Sequence, residues 1–254
     1  MNSASQPPEV LVFDDGPAVA SAVAERLTAA IAGAQQSRGI ARIAITGGSL
    51  GIAALRALRS AADRVEWNKL EIFWGDERFL PAGHDDRNDA QADEALLKHV
   101  PVDAARIFRM PSLGDGQEPG TAPDVDSGAA AYERTLRSLT ADGSVPQLDV
   151  HLLGMGPDGH INSLFPGKAN LSEQEKAVAA EHDSPKPPPE RITLTYPVVN
   201  NSRQVWFVVA GEDKAGKVAQ AVRDGMTDDC PAAGAHGRDN TIWFLDKKAA
   251  ELLR

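Results

Sequence analysis

Apolar and polar positions along this chain switch repeatedly between the short period of strands and the longer period of helices. Residues 10–13 form a first apolar run, and Asp15, Gly16 and Pro17 follow it as a helix start with proline at the first helical position. Val19, Val23, Leu27 and Ile31 then recur at helical spacing until Gly39. Residues 42–46 predict a second strand, which runs into Gly47, Gly48, Ser49, Leu50 and Gly51 and an Ala/Leu-rich helix to about residue 62. A third strand over 70–74 opens into Gly75, Asp76, Glu77, Arg78 and Phe79, then a polar loop to Asn88 and a helix over 88–99.

In the second half, a short strand is expected near Ile107, a surface loop over 111–128 and a helix over 129–141. Leu148, Val150, Leu152 and Leu153 then read as an interior strand that stops at Gly154. Residues 177–181 predict another strand, and 182–190, with Pro185, Pro187, Pro188 and Pro189, a stiff loop. Strands over 191–196 and 204–210, a helix from about 211 to 223, a loop over 224–240, a strand over 241–245 and a helix over 246–253 complete the chain, with no internal repeat. Such alternation implies an α/β fold, a mostly parallel sheet with helices on both faces. Residues 1–254 are read as one domain, with 1–8 a flexible terminus. The glycine-bearing strand exits at Gly47, Gly75 and Gly154 would then lie along one sheet edge, where open α/β sheets bind ligands.

The exit at 154 gathers most of the chemistry. Asp158, His160, Asn162 and Ser163 follow the strand within a few residues, on a loop held by a rigid element. Gly154, Gly156 and Gly159 spell the G-x-G-x-x-G of dinucleotide sites, but Pro166 leaves no room for the long helix that such a site needs. The loop at Gly47 offers free N–H groups at a helix start, a seat for phosphate, and lacks the Gly-Lys-Ser/Thr of a nucleoside triphosphate loop. Asp76, Glu77 and Arg78 place acids and a guanidinium at a third exit, fit for acid/base work, for binding an anion, or merely for a solvated charge cluster.

Composition narrows the choice. With 36 acidic and 26 basic residues the net charge is -10, which disfavours nucleic acid and anionic membrane as partners. No run approaches the roughly 18 apolar residues of a membrane span. The single cysteine, Cys230, rules out an intrachain disulfide and suits the cytoplasm. Six histidines are scattered without metal-ligand spacing, so no metal is expected.

Taken in combination, ITGGSLG at 45–51, FWGDERFLP at 73–81 with Arg87 and Asn88 downstream, LLGMGPDGHINSLFPG at 152–167, RITLTYP at 191–197 and VVAGEDKA at 208–215 resemble the 6-phosphogluconolactonase family, which is related to the glucosamine-6-phosphate deaminases. The resemblance implies a modified Rossmann-like, deaminase-like fold, no cofactor, and hydrolysis of 6-phospho-D-glucono-1,5-lactone to 6-phosphogluconate in the oxidative pentose phosphate pathway. It also implies His160 as general base, with Asp76 and Asp158 matching motif acids. Arg78, Lys214 and the Gly47, Gly48, Ser49 loop would hold the anionic substrate, and Arg191 would face the pocket. The sequence leaves the oligomeric state open, and a monomer is compatible with it.

An imidazole, with an ordinary pKa of about 6.5, suits water activation near neutrality. Ser163 is close to His160 in sequence, yet no third group completes a nucleophilic triad, and the residue that orients His160 stays unassigned. Two rivals share the scaffold: an amino-sugar-phosphate isomerase or deaminase, and a noncatalytic sugar-phosphate sensor. Against the deaminase stand Arg78 after Glu77, where deaminases carry an aromatic, and INSLFPG after His160 in place of IAFNEPG. Ile161 and Asn162 replace the Thr-Ala that is commoner in the lactonases.

Overall fold

In the computed structural model, which describes residues 7–223 and 227–253, the strands in chain order are β1 (Glu9–Phe13), β2 (Ala41–Ile45), β3 (Leu70–Trp74), β4 (Asp76–Arg78), β5 (Ser112–Leu113), β6 (Thr121–Ala122), β7 (Val150–Leu153), β8 (Val178–Glu181), β9 (Arg191–Leu194), β10 (Gln204–Val209) and β11 (Asn240–Asp246). The α-helices are α1 (Gly16–Arg38), α2 (Gly48–Leu58), α3 (Asn88–Ala95), α4 (Val125–Ser138), α5 (Tyr196–Val199) and α6 (Ala215–Arg223). The expected terminus over 1–8 falls largely outside the described residues, as do 224–226 of the expected loop.

A parallel sheet in the order β1-β11-β10-β7-β2-β3 forms the centre. From β2 the chain proceeds to β3 on one side, and from β7 to β10 and β11 on the other, so the order reverses between β2 and β7. At such a switch point the connections diverge and leave a crevice at the strands' carboxyl ends. Gly47 and Gly154 follow β2 and β7 there. Gly75 follows β3 and donates its N–H to the Ile45 carbonyl at 3.0 Å, so the three glycine exits do share one edge.

Both faces of this sheet are buried. Along β10, Val205, Phe207 and Val209 pack into one apolar cluster, while Trp206 and Val208 enter the other. This two-residue alternation under a continuous apolar run is how a doubly covered strand reads. Phe207 and Trp243 are register partners on β10 and β11, and their rings stack at 3.7 Å. Helix α1 begins where expected, because the Asp15 carboxylate accepts the Ala18 N–H at 2.9 Å and Pro17 occupies the first turn; it ends at Gly39, whose φ of 78° is left-handed.

Several boundaries differ from the sequence expectation. Residues 76–78 form β4 in place of loop, pairing antiparallel with β9, and β8 completes that small sheet. The strand expected at 191–196 is therefore not part of the central sheet; Tyr196 and Pro197 already belong to α5. Only an isolated bridge from Ile72 to Ile107 stands for the strand expected near that position. The loop over 111–128 contains β5 and β6 and gives way to α4 at Val125, where Asp124 caps the helix through the Ser127 N–H at 2.7 Å. Helix α3 stops at Ala95 because Leu96 leaves helical geometry, and α2 passes into a 3₁₀ segment at Arg59. The last helix shrinks to turns and a 3₁₀ turn over Glu251–Leu253. Among the described residues, no helix is long and apolar enough to cross a membrane.

The placement of α2 depends on one close approach. A Cβ on Gly51 would lie 2.6 Å from the Thr46 carbonyl oxygen. Gly51→Ala should therefore destabilise the fold by about 1–3 kcal/mol, the usual cost of overpacking, and weaken ligand binding at the Gly47 loop. Urea unfolding of the two forms checks this; equal midpoints and slopes would contradict the packing argument.

Candidate active site

A cleft of about 280 Å³ opens at the switch point, at the small end of ligand sites. His160, Asp76, Gly47, Gly48, Arg78, Lys214 and Arg191 all line it. Residues far apart in sequence thus converge through the carboxyl ends of β2, β7 and β10 and through β4 and β9. Asp158 stands behind His160 instead of in the wall, and Ser49 borders an adjoining crevice, one residue beyond the cleft.

The turn after β7 is shaped around His160. The Gly156 N–H donates to the His160 carbonyl at 3.1 Å, and the Gly159 N–H to the Gly156 carbonyl at 3.0 Å. The imidazole crosses so near Gly156 that a Cβ there would lie 2.2 Å from the ring, which explains the glycine. The ring is 14% exposed and packs on Phe165 at 4.6 Å. The next element after the turn is a short 3₁₀ segment, Ala169–Ser172. The glycine pattern therefore opens no helix of the kind that binds a dinucleotide.

The group that orients His160, which sequence alone leaves unassigned, is the motif acid Asp158. Its Oδ1 is 2.5 Å from His160 Nδ1. An ionised carboxylate only accepts hydrogen bonds, so Nδ1 carries the proton and, in the neutral ring, Nε2 keeps its lone pair. Partial burial pushes the Asp158 carboxyl up, but the hydrogen bond and charge of His160 outweigh it and hold the group at about 2. The pairing hence stabilises the fold above the ordinary aspartate value of about 3.9 and loses that contribution as pH falls through about 2.

Asp76 belongs to a separate cluster. Its Oδ2 accepts from Ser163 Oγ at 2.7 Å and lies 3.9 Å from an Arg191 Nη1. Ser163, fully buried, is thus directed at Asp76 and away from His160. Arg191 also holds the proline-rich loop, with Nε donating to the Pro188 carbonyl at 3.2 Å and Nη2 to the Lys186 carbonyl at 3.0 Å. Burial lowers its guanidinium below the ordinary arginine value, against the pull of Asp76.

Glu77, next in sequence, is a buried brace. Its carboxylate accepts the N–H groups of Arg78 at 2.8 Å, Asn88 at 2.7 Å and Asp89 at 2.8 Å, so β4 caps α3. Buried Arg87 lies 3.8 Å from Glu77 and makes a two-pronged pair with Asp89 at 3.0 and 2.9 Å. Arg78, on the exposed side of this brace, donates to the Asp86 carbonyl at 2.7 Å and faces the cleft.

Comparison with known proteins agrees with this architecture. Residues 14–243 match the family described as glucosamine-6-phosphate isomerases/6-phosphogluconolactonase. The chain belongs to that family. A 6-phosphogluconolactonase of Mycobacterium tuberculosis is 47% identical over 243 residues, covering 95% of this chain and 97% of that protein. A 6-phosphogluconolactonase of Streptomyces coelicolor is 44% identical over 254 residues, covering 98% and 96%. The structure of 6-phosphogluconolactonase from Trypanosoma brucei superposes with a TM-score of 0.84 at 27% identity, over 98% of this chain and 100% of that one.

This member of the glucosamine-6-phosphate isomerase/6-phosphogluconolactonase family brings further side chains into the cleft that the sequence reading did not assign: Asn88, Asn162 and Lys186. Asn88 Nδ2 donates to the Asp76 carbonyl at 2.9 Å. Asn162 has a left-handed φ of 47°, and its Nδ2 approaches His151 Nε2 at 3.5 Å. His151 lies beneath the site, wholly buried, and burial pushes its imidazole down to about 4, so it is neutral near pH 7. In the sequence, Asn88 stands in a family motif and Asn162 in the polar cluster after β7, while Lys186 carries no signal beyond its proline-rich loop.

Asp158→Asn should leave a folded protein whose His160 can switch tautomer, since an amide can donate as well as accept. Turnover should fall by at least about 10²-fold, in line with the loss of an imidazole-orienting carboxylate elsewhere. Steady-state rates beside a circular dichroism melt measure this; a folded variant with undiminished turnover would remove Asp158 from the site's chemistry.

Proposed function

We propose that this chain hydrolyses 6-phospho-D-glucono-1,5-lactone to 6-phospho-D-gluconate, as an oxidative pentose phosphate enzyme of the cytoplasm. The observation that carries the reading is the His160–Asp158 pair, which leaves a lone pair on Nε2 at the wall of a cation-lined cleft. The relatives that cover nearly the whole chain and bear the lactonase name support the same substrate.

In this reading His160 Nε2 takes a proton from water as the water oxygen bonds to the lactone carbonyl carbon. The carbonyl π electrons move onto its oxygen. Collapse of that tetrahedral species breaks the bond to the ring oxygen, which receives the proton back from the imidazolium, and the carboxylic acid so formed releases its remaining proton to solvent to give the carboxylate. Asp158 stabilises the transient imidazolium without changing its own protonation. The phosphate is bound at the start of α2, where Gly47 and Gly48 lie at the positive end of the helix and Ser49 follows, with Lys214 and Arg78 as counter-charges. Lys214 Nζ donates to both Asp213 carboxylate oxygens at 3.1 Å, which positions the ammonium. Asp76 orders the wall through Ser163 and Arg191, and Arg191 sets the loop that closes one side.

Freshly prepared lactone tests this, with acid release followed above the spontaneous rate. His160→Gln should reduce turnover by roughly 10²–10⁴-fold, the range for a positioned acid/base group. Binding of 6-phosphogluconate should change little. Near wild-type turnover by a folded His160→Gln protein would refute the assignment of the base.

A further inference from the structure

Lys186 is a cation at the cleft with no part in the mechanism above. It lies in the proline-rich loop, and its backbone is held from both sides. The Lys186 N–H donates to Ser184 Oγ at 3.2 Å, Ser184 Oγ donates to the Lys186 carbonyl at 2.9 Å, and Arg191 Nη2 donates to that carbonyl at 3.0 Å. From this fixed stem the half-buried side chain enters the cleft wall.

Each of the other cleft cations has a protein partner, Lys214 in Asp213, Arg78 Nη1 in the Asp86 carbonyl and Arg191 in the loop carbonyls, while Arg78 Nε is buried without one. Among the described residues, the Lys186 ammonium makes no hydrogen bond or ion pair. Arg191, which holds the Lys186 carbonyl, lies over the Phe165 ring at 5.7 Å, and His160 packs on that same ring at 4.6 Å. The loop that carries Lys186 is thus anchored on the His160 side of the cleft that both residues line. Lys214 instead follows β10, beside the Gly47 loop that borders the same crevice.

Negative charge develops at a definite point in the proposed hydrolysis. When the water oxygen bonds to the carbonyl carbon and His160 holds the proton, the former carbonyl oxygen carries the charge. After the ring bond breaks, it becomes one oxygen of the product carboxylate. A side chain able to aim several N–H donors from a flexible stem suits that migrating charge. We propose that the Lys186 ammonium binds this oxygen, as oxyanion in the reaction and as carboxylate in the product. The step rests on the lactonase reading, but the contact with an aldonate carboxylate can be measured without turnover.

Calorimetry with two ligands separates the roles: 6-phosphogluconate, and glucitol 6-phosphate, which has the phosphate and no carboxylate. Lys186→Met keeps the stem and removes the charge. It should weaken 6-phosphogluconate by about 10-fold or more, the scale of a charge-assisted hydrogen bond, and leave glucitol 6-phosphate unchanged. Lys214→Ala should weaken both ligands alike. With lactone, Lys186→Met should lower kcat by about 10²-fold, as for loss of an oxyanion donor, at little changed KM; Lys186→Arg should recover part of it. Equal weakening of both ligands by Lys186→Met would make Lys186 a phosphate ligand and overturn the proposal. So would unchanged binding of both, or a wild type with no preference between them. A wild type that prefers 6-phosphogluconate through Lys186 but does not hydrolyse the lactone would sink the proposed reaction and leave the carboxylate contact standing.

Discussion

The bond between Asp158 and His160 Nδ1 decides which chemistry this cleft can perform. Imidazole exists as two neutral tautomers, and only the one protonated at Nδ1 offers a basic Nε2. A carboxylate 2.5 Å away selects that tautomer because it has nothing to donate. The choice is reinforced locally. The His160 N–H also reaches Asp158 Oδ1 at 3.4 Å, and the turn's own hydrogen bonds run from Gly156 to His160 and from Gly159 to Gly156. Ring orientation and protonation are therefore both set within a handful of residues.

What the turn lacks by itself is a substrate site, and the sheet supplies it. Reversal of strand order between β2 and β7 opens a crevice, and the start of α2 projects N–H groups toward it. The cationic wall is harder to build, since it needs Arg78 held beside buried acids. Glu77 braces it by accepting three backbone N–H groups, which together with Arg87 offset part of the burial that pushes this carboxyl up to about 7. Removing that carboxylate would leave the first turn of α3 with buried, unpaired donors, a larger loss than the missing charge alone. The polar residues around 76–89 thus divide into those that face the cleft and those that hold them there.

Strand and helix periods in the sequence reveal most of this frame, because the central strands are buried on both faces and the main helices carry clear caps. The misses have physical causes. Residues 76–78 alternate no apolar positions, so β4 has no strand signature; it forms because β9 offers a matching edge. The tail beyond Asp246 has apolar residues at helical spacing, yet tertiary contacts settle it as turns and a 3₁₀ segment. Within the site, the glycine loops, His160 and Asp158 are marked by their neighbours, whereas the contact of Asp158 with the imidazole and the place of Lys186 are not. An aspartate two residues before a histidine faces it only if the glycines between and before them bend the chain back, and a lysine among prolines looks like loop surface until Arg191 folds that loop over the cleft. Distances of this kind exist only in three dimensions.

The tautomer of His160 is observed directly by ¹⁵N-detected NMR of histidine-labelled protein, with His160→Gln identifying the resonance. The expected result is a protonated Nδ1 and an unprotonated Nε2 in the neutral ring, the pattern that an acceptor-only neighbour at Nδ1 imposes. A neutral ring protonated at Nε2 would contradict it, since that nitrogen would have no lone pair with which to take a proton from water.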